Sequence, residues 1–214
     1  MPRPSQQIDQ ALLASGRALL PQLGCAGLSV RALAEHAGTA PGMFHYHFES
    51  KEQFLRTLLA GVYEEMFATL VQQAAIEGST VDRLRAALAA LARFGRSQRL
   101  LIGRLWADAA AGEKAAREFF QDNVPRHVGV LMGLLTQGQA SGAIKPLPPL
   151  SAFAFLLGAV ALPSIFVAGL VDAGLAPPGG RAAFEAQVMS DAAIDLRIDL
   201  ALAALSTSPE SARP

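Results

Sequence analysis

An all-α fold is what this sequence predicts, and three observations predict it. Ala and Leu, strong helix formers, dominate the apolar positions; stretches alternating with β-branched residues are few; and apolar stripes recur with the 3.6-residue period of a helix. With 51% hydrophobic and 17% charged residues, the 214-residue chain has the means to bury a sizeable core and is not a disordered one.

Met1 to Ser5 reads as a mobile arm carrying Pro and Arg. From Gln6 to Leu23, Ile8, Leu12, Ala18 and Leu19 support a first helix, with Pro21 near its end predicting an early stop or a bend. Gly24 to Gly27 reads as a loop. Ser29 then offers an oxygen to an unpaired backbone N–H, and Val30, Leu33, Ala34 and Ala37 keep helical spacing until Gly38 permits a sharp exit. Pro41 suits the first turn of the next helix, where its missing N–H costs nothing. Phe44 and Phe48, four apart, form an inward stripe, leaving Met43, His45, Tyr46 and His47 for outward positions. Ser50 with Gln53 three residues on is a cap that opens a long helix through about Ile76, with Phe54, Leu55, Leu58, Leu59 and Val62 facing a core. Two short helices joined by a Gly turn, the second polar on its outer side, make a helix-turn-helix unit, braced by the first helix.

These residues carry a family resemblance. The runs GLSVRALAEHAG and PGMFHYHFESKEQFL resemble the DNA-binding segment of TetR/AcrR-type transcriptional regulators over roughly Ile8 to Leu59. The likeness rests on a Ser cap, an Ala-Gly turn, an aromatic-rich recognition helix and an SKE cap in the family's order. Two positions depart from the pattern: Ala40 stands where a capping Ser is usual, which makes Thr39 the alternative cap, and Pro21 interrupts the first helix. The resemblance implies an N-terminal three-helix DNA-binding head over 1–50 and a C-terminal helical effector-binding and dimerisation domain over 51–206; the residues over 207–214 themselves read as a disordered tail. It implies that Arg31, Pro41, Gly42, Met43 and His45 lie against base edges and that Ser29, Tyr46, His47 and Lys51 hold phosphates, with Thr39 at the start of the same DNA-binding surface. It also implies a homodimer on operator DNA and release by a small effector, with repression as the family default.

Charge sharpens this expectation. The whole chain is formally neutral, and residues 1–60 carry five cations, Arg3, Arg17, Arg31, Lys51 and Arg56, against four carboxylates. A head this weakly basic must take much of its phosphate contact from backbone N–H groups, helix N-termini and hydroxyls, doubled by dimerisation. The single Cys25 leaves no internal disulfide or Cys-based zinc cluster, and no charged segment followed by an apolar one opens the chain, so a cytoplasmic protein is expected.

Further helices are expected from a Thr80 cap to about Arg96, from Leu100 to Ala110, and from Glu113 to about Ser141 with a bend at Pro125; the stiff connector Lys145 to Pro149 follows. Ala152 to Val171 is twenty residues without a charge, the length and character of a membrane span. Against that reading, it is rich in Ala and Gly, holds Pro163, lacks flanking basic anchors and precedes an amphipathic helix. The preferred reading is a helix covered by its own subunit on one face and by a partner on the other, and a membrane-associated helical protein spanning at 152–171 is the alternative. A single helix from Arg181 to Leu205 shows an apolar surface too wide for one small domain, so a four-helix interface of two subunits is expected through 151–173 and 181–205. Asp191, Asp195 and Asp199 read as a solvated acidic stripe.

His45 and His47, two apart on a helix, point in different directions and carry no metal site. Trp106, Phe119, Phe120, Val128, Met132 and Phe153 are the candidates for an effector pocket, with plain core packing as the alternative; Arg104, Asp108 and His127 are the charged groups expected near it. A largely apolar or aromatic effector follows. Ser164 and Ser190 have no His and acid in a recognisable order and no Gly-rich phosphate loop occurs, so no enzyme and no cofactor are expected.

Overall fold

The structure, a computed structural model, describes residues 4–207. Among these residues it is helical throughout, with one isolated antiparallel bridge between Ile144 and Ser206 in place of any strand. The helices are α1 (Pro4–Gly27), α2 (Val30–His36), α3 (Pro41–His47), α4 (Lys51–Ala74), α5 (Thr80–Ser97), α6 (Arg99–Ala110) and α7 (Lys114–Ala140). They are followed by α8 (Pro149–Asp172), α9 (Gly180–Phe184) with a wider turn over Glu185–Met189, and α10 (Asp191–Leu205). The arm expected over 1–5 lies outside the described residues for its first three positions, and Pro4 and Ser5 already belong to α1. Apart from Thr207, the expected tail lies outside them too.

Packing divides the chain into two compact units. The first comprises 1–65 and 100–123, and its centre is apolar: Leu12, Leu20, Leu28, Leu33, Phe44, Phe54, Leu58, Leu59 and Leu105 are buried. Each such side chain contributes roughly 1.5–3 kcal/mol by leaving water. Helix α1 continues through Pro21 and breaks at Gly24, whose φ of 71° and ψ of 176° are not helical, so the expected loop over 24–27 is one non-helical residue followed by a short helical end.

The second unit comprises 66–99 and 124–214. Here α5 and α10 pack together, with Leu84, Ala87, Leu88 and Ala92 buried on one helix and Ile194, Ile198, Ala201, Leu202 and Leu205 on the other. The cap of α5 is Ser79 rather than Thr80: its Oγ accepts from the Asp82 N–H at 3.2 Å while Asp82 accepts from the Ser79 N–H at 3.1 Å. The helix expected as one piece over 181–205 is two. Ser190 (φ −63°, ψ 155°) leaves helical geometry, and its Oγ accepts from the Ala193 N–H to start α10.

Helix α8 is not broken at Pro163. Its buried positions Ala152, Leu156, Val160, Ser164 and Ala168 recur every fourth residue. A strict α-helix of 3.6 residues per turn would rotate such a stripe off its neighbour, whereas the i→i+5 turns over Leu157–Ala161 and Pro163–Val167 hold it in line. The helix is long and apolar enough to cross a membrane, with a mean hydropathy of 2.3, and 28% of that stretch is buried. Phe155, Leu157, Leu162, Phe166, Val167 and Leu170 face outward.

The acidic stripe on α10 is solvent-exposed, and it is also paired with cations of another helix. Arg93 and Arg96 of α5 reach Asp191, Arg93 also reaches Asp195, and Arg85 pairs with Asp199. One-helix reasoning finds no cation on that face because the cations come from another helix. At the end of α8, Asp172 takes Arg99 at 2.8 Å and Arg181 at 3.3 Å.

Candidate nucleic-acid interface

The turn between α2 and α3 is fixed by backbone chemistry. Ser29 Oγ accepts from the Ala32 N–H at 3.1 Å and starts α2. At the other end, the N–H groups of Gly38 and Thr39 donate to the carbonyls of Glu35 and Ala34, at 3.2 and 2.9 Å. This is a Schellman closure with Gly38 at φ 66°, where a β-carbon would be strained. Helix α3 then starts on Pro41 with Ala40 at the cap position and no side-chain cap bond, so Thr39 does not take that role. Thr39 is half-buried.

Aromatic packing sets the orientation of α3. Phe44 is fully buried, and its ring centroid lies 5.5 Å from Phe48 and 5.4 Å from Phe54 of α4, with Phe48 and Phe54 5.0 Å apart. The start of α4 is held by the expected reciprocal cap: the Gln53 N–H donates to Ser50 Oγ at 3.1 Å, and Gln53 Oε1 accepts from the Glu49 N–H at 2.7 Å. With Phe44 committed inward, Pro41, Gly42, His45 and Tyr46 are exposed and Met43 is half-buried. Tyr46 is 73% exposed. His47 is half-buried, edge-on to Tyr46 at 5.1 Å, and its Nε2 is enclosed without a hydrogen-bond partner among the described residues.

The cations of the head divide sharply. Arg17 is held by Glu65 through two bonds of 2.5 and 3.0 Å, which keeps that carboxylate below its usual range. Arg56 is held by Glu118 at 2.8 Å, with the same effect on Glu118. Lys51 Nζ donates to the Ala26 carbonyl at 3.1 Å. Arg31 is exposed, and among the described residues it shows no ion pair. Arg3 lies outside them.

The expected effector residues fall in different units. In the first, Trp106 is 47% exposed and lies 4.8 Å from Phe120; Phe120 meets Phe119 at 5.4 Å, and Phe119 meets Tyr63 at 6.1 Å. In the second, Val128 and Met132 of α7 and Phe153 of α8 are half-buried. Two recesses lie in the second unit. One, of about 720 Å³, is lined by Thr69, Gln73, Arg85, Arg93, Asp195 and Ile198 among others; the other, of about 350 Å³, by Val167, Leu170, Leu175 and Phe184. None of the six expected residues lines either one. The recess-lining residues carry no signature in the sequence, because the larger recess exists only where α4, α5 and α10 meet. Nor do Arg104 and Asp108 mark a pocket: Asp108 is buried, accepting the Cys25 N–H at 2.6 Å, with Arg104 beside it. Among the described residues no group of three His, Cys, Asp or Glu is placed to hold a metal ion.

Comparison with known proteins agrees with this geometry. Residues 12–58 match the family described as bacterial regulatory proteins, tetR family. A TetR family transcription regulator from Marinobacter aquaeolei VT8 superposes with a TM-score of 0.67 at 20% identity, covering 95% of this chain and 97% of that one. The ketosteroid transcriptional regulator KstR2 of Mycobacterium tuberculosis does so with 0.67 at 19% identity, covering 94% and 95%. Against curated proteins the sequence has no match. The chain therefore resembles the TetR family in its helix-turn-helix head and in its all-helical fold, and this fold supports a DNA-binding regulator.

Proposed function

We propose that this chain, with a tetR-type head on the fold such regulators share, is a homodimeric, cytoplasmic repressor released from its operator by a small, largely apolar effector. One observation carries the reading: α3 is clamped to α4 by Phe44, Phe48 and Phe54 while Pro41, Gly42, His45 and Tyr46 are left facing solvent. A surface helix with its apolar side spent on the core and a polar, aromatic side outward is what a major groove admits. In this reading residues 1–50 bind DNA, Arg31, Pro41, Gly42, Met43 and His45 meet base edges, Ser29, Tyr46, His47 and Lys51 lie along the phosphates, and Thr39 belongs to the same DNA-binding surface.

The dimer would form through 151–173 and 181–205. The outward apolar side chains of α8, together with Leu196 and Leu200 of α10 at 58% and 63% exposed, support a second copy as what covers them. The effector would bind within 51–206. A ketosteroid regulator among the structural neighbours accords with an apolar effector. Binding one spacing of the two heads tenfold better than another requires about 1.4 kcal/mol of differential affinity, within reach of a small ligand.

The test is a mobility shift with the DNA upstream of the protein's own gene, repeated with a panel of small hydrophobic compounds. A shifted band abolished by one of them is expected. Failure to shift any fragment, or recovery of the protein only by detergent extraction of membranes, would overturn the reading in favour of a membrane-associated helical protein.

A further inference from the structure

Asp108 is the one Asp, Glu, Lys, Arg or His buried among the described residues, 4% exposed on α6. Its surroundings explain why it is there. The break at Gly24 starts a new helical end, whose first N–H groups have no intrahelical acceptor. Asp108 Oδ2 takes the Cys25 N–H at 2.6 Å, across 83 residues of sequence. An unpaired buried N–H would otherwise cost about 1–3 kcal/mol.

The arrangement is closed by a second residue of α6. Arg104 Nε stands 3.1 Å from Asp108 Oδ1, an ion pair without hydrogen-bond alignment. Its guanidinium fills the space over Gly24, where any β-carbon would overlap it. Burial and the neighbouring Asp108 carboxylate push the Cys25 thiol up to about 12, as expected beside a buried negative charge. The same corner is held twice more: the Leu28 N–H donates to the Gly24 carbonyl at 3.1 Å, and Lys51 of α4 donates to the Ala26 carbonyl. One residue beyond Leu28, Ser29 caps α2, and α2 packs on α3.

We propose that Asp108 is a positioning residue for DNA recognition: by holding the Cys25 N–H it fixes where α2 begins, and through α2 the seat of α3. The inference rests on the DNA-binding reading above and adds to it a residue that touches no DNA. Its prediction is specific. Loss of the acceptor should loosen the placement of α3 and so cost base-sequence preference, while electrostatic attraction to any duplex is not reduced.

The experiment uses the full chain and a duplex selected from a random pool by the wild-type protein, with a scrambled duplex of equal length as control. Asp108→Ala is expected to bind the selected duplex at least tenfold more weakly and the scrambled one within twofold of wild type. Asp108→Asn, whose amide oxygen can still accept from Cys25, should recover most of the loss. Equal affinity of Asp108→Ala and wild type for the selected duplex overturns the inference, as does a parallel loss on both duplexes with helix content retained, which marks a merely structural role. If Asp108→Ala loses helix content, hydrogen exchange on the wild type decides: the Cys25 amide should exchange as slowly as the interior amides of α1, and fast exchange overturns the inference. A wild-type protein that selects no duplex at all sinks the DNA-binding reading instead, so the two failures are distinguishable.

Discussion

Arg93 of α5 grips Asp195 of α10 with one nitrogen on both carboxylate oxygens, at 2.7 and 2.9 Å, and its Nε reaches Asp191 at 3.2 Å. With Arg96 on Asp191 and Arg85 on Asp199, three arginines answer three aspartates. The groups are solvent-exposed, so each pair is worth little alone. Arg93→Ala should lower the melting temperature by only about 2 °C, less in 1 M salt, as differential scanning calorimetry would show.

The same ladder gives a pH dependence. Hydrogen bonding to Arg93, with the charge of Arg96 next, holds the Asp191 carboxyl below its usual range. A depressed folded-state value means that the stabilisation is present above the unfolded value of about 3.9 and is lost as pH falls through the folded one. Urea titrations between pH 6 and pH 2 should therefore show wild type and Asp191→Asn converging at the acid end. A difference that persists there would contradict the assignment.

Arg31 is expected to dominate sequence reading in the head. A bidentate Arg–guanine contact is worth about 1–3 kcal/mol, so Arg31→Ala should weaken operator binding about tenfold or more while gel filtration shows an unchanged dimer. Unaltered affinity and base preference would remove Arg31 from the interface.

Salt dependence tests the charge accounting. Arg17 and Arg56 are engaged by carboxylates, which leaves Arg31 and Lys51 to meet phosphates or bases among the described cations of the head. Few counterions are then released per head, and at about 0.9 per neutralised phosphate the slope of log K against log salt should be shallower than about −5 for a dimer. A slope near −10, as lac repressor has, would mean that those pairs open on DNA.

Association through α8 and α10 is checked at Leu196 and Leu200. Placing a charge in a buried apolar contact is strongly unfavourable, so the double variant Leu196→Asp, Leu200→Asp should sediment as a monomer and lose operator binding while keeping its helical spectrum. A variant that stays dimeric would place the interface elsewhere.

Gly38 isolates a backbone effect. Nothing lies within 4 Å of where its β-carbon would be, so Gly38→Ala meets no neighbour and should cost about 1–2 kcal/mol from the left-handed conformation alone, read by urea denaturation.

The head was legible from sequence because its rules are local. The Ser29 cap, the Gly38 exit, Pro41 at a helix start, the Ser50 and Gln53 cap and the inward pair Phe44 and Phe48 each involve groups within about five residues, so neighbouring identities settle them. Near misses have the same locality: Ser79 rather than Thr80 caps α5, and Ser190 divides what periodicity alone joins.

Sequence by itself thus determined the helical class, the helix-turn-helix and the outward position of Tyr46. Tertiary structure alone decided that the aspartates of α10 face arginines about a hundred residues away, that Asp108 is buried on the Cys25 N–H, and that α8 runs on through Pro163. The physical reason is range. Caps and turns are set by bonds between neighbours along the chain, whereas a charge's partner and a helix's covered face depend on which distant segments packing brings together.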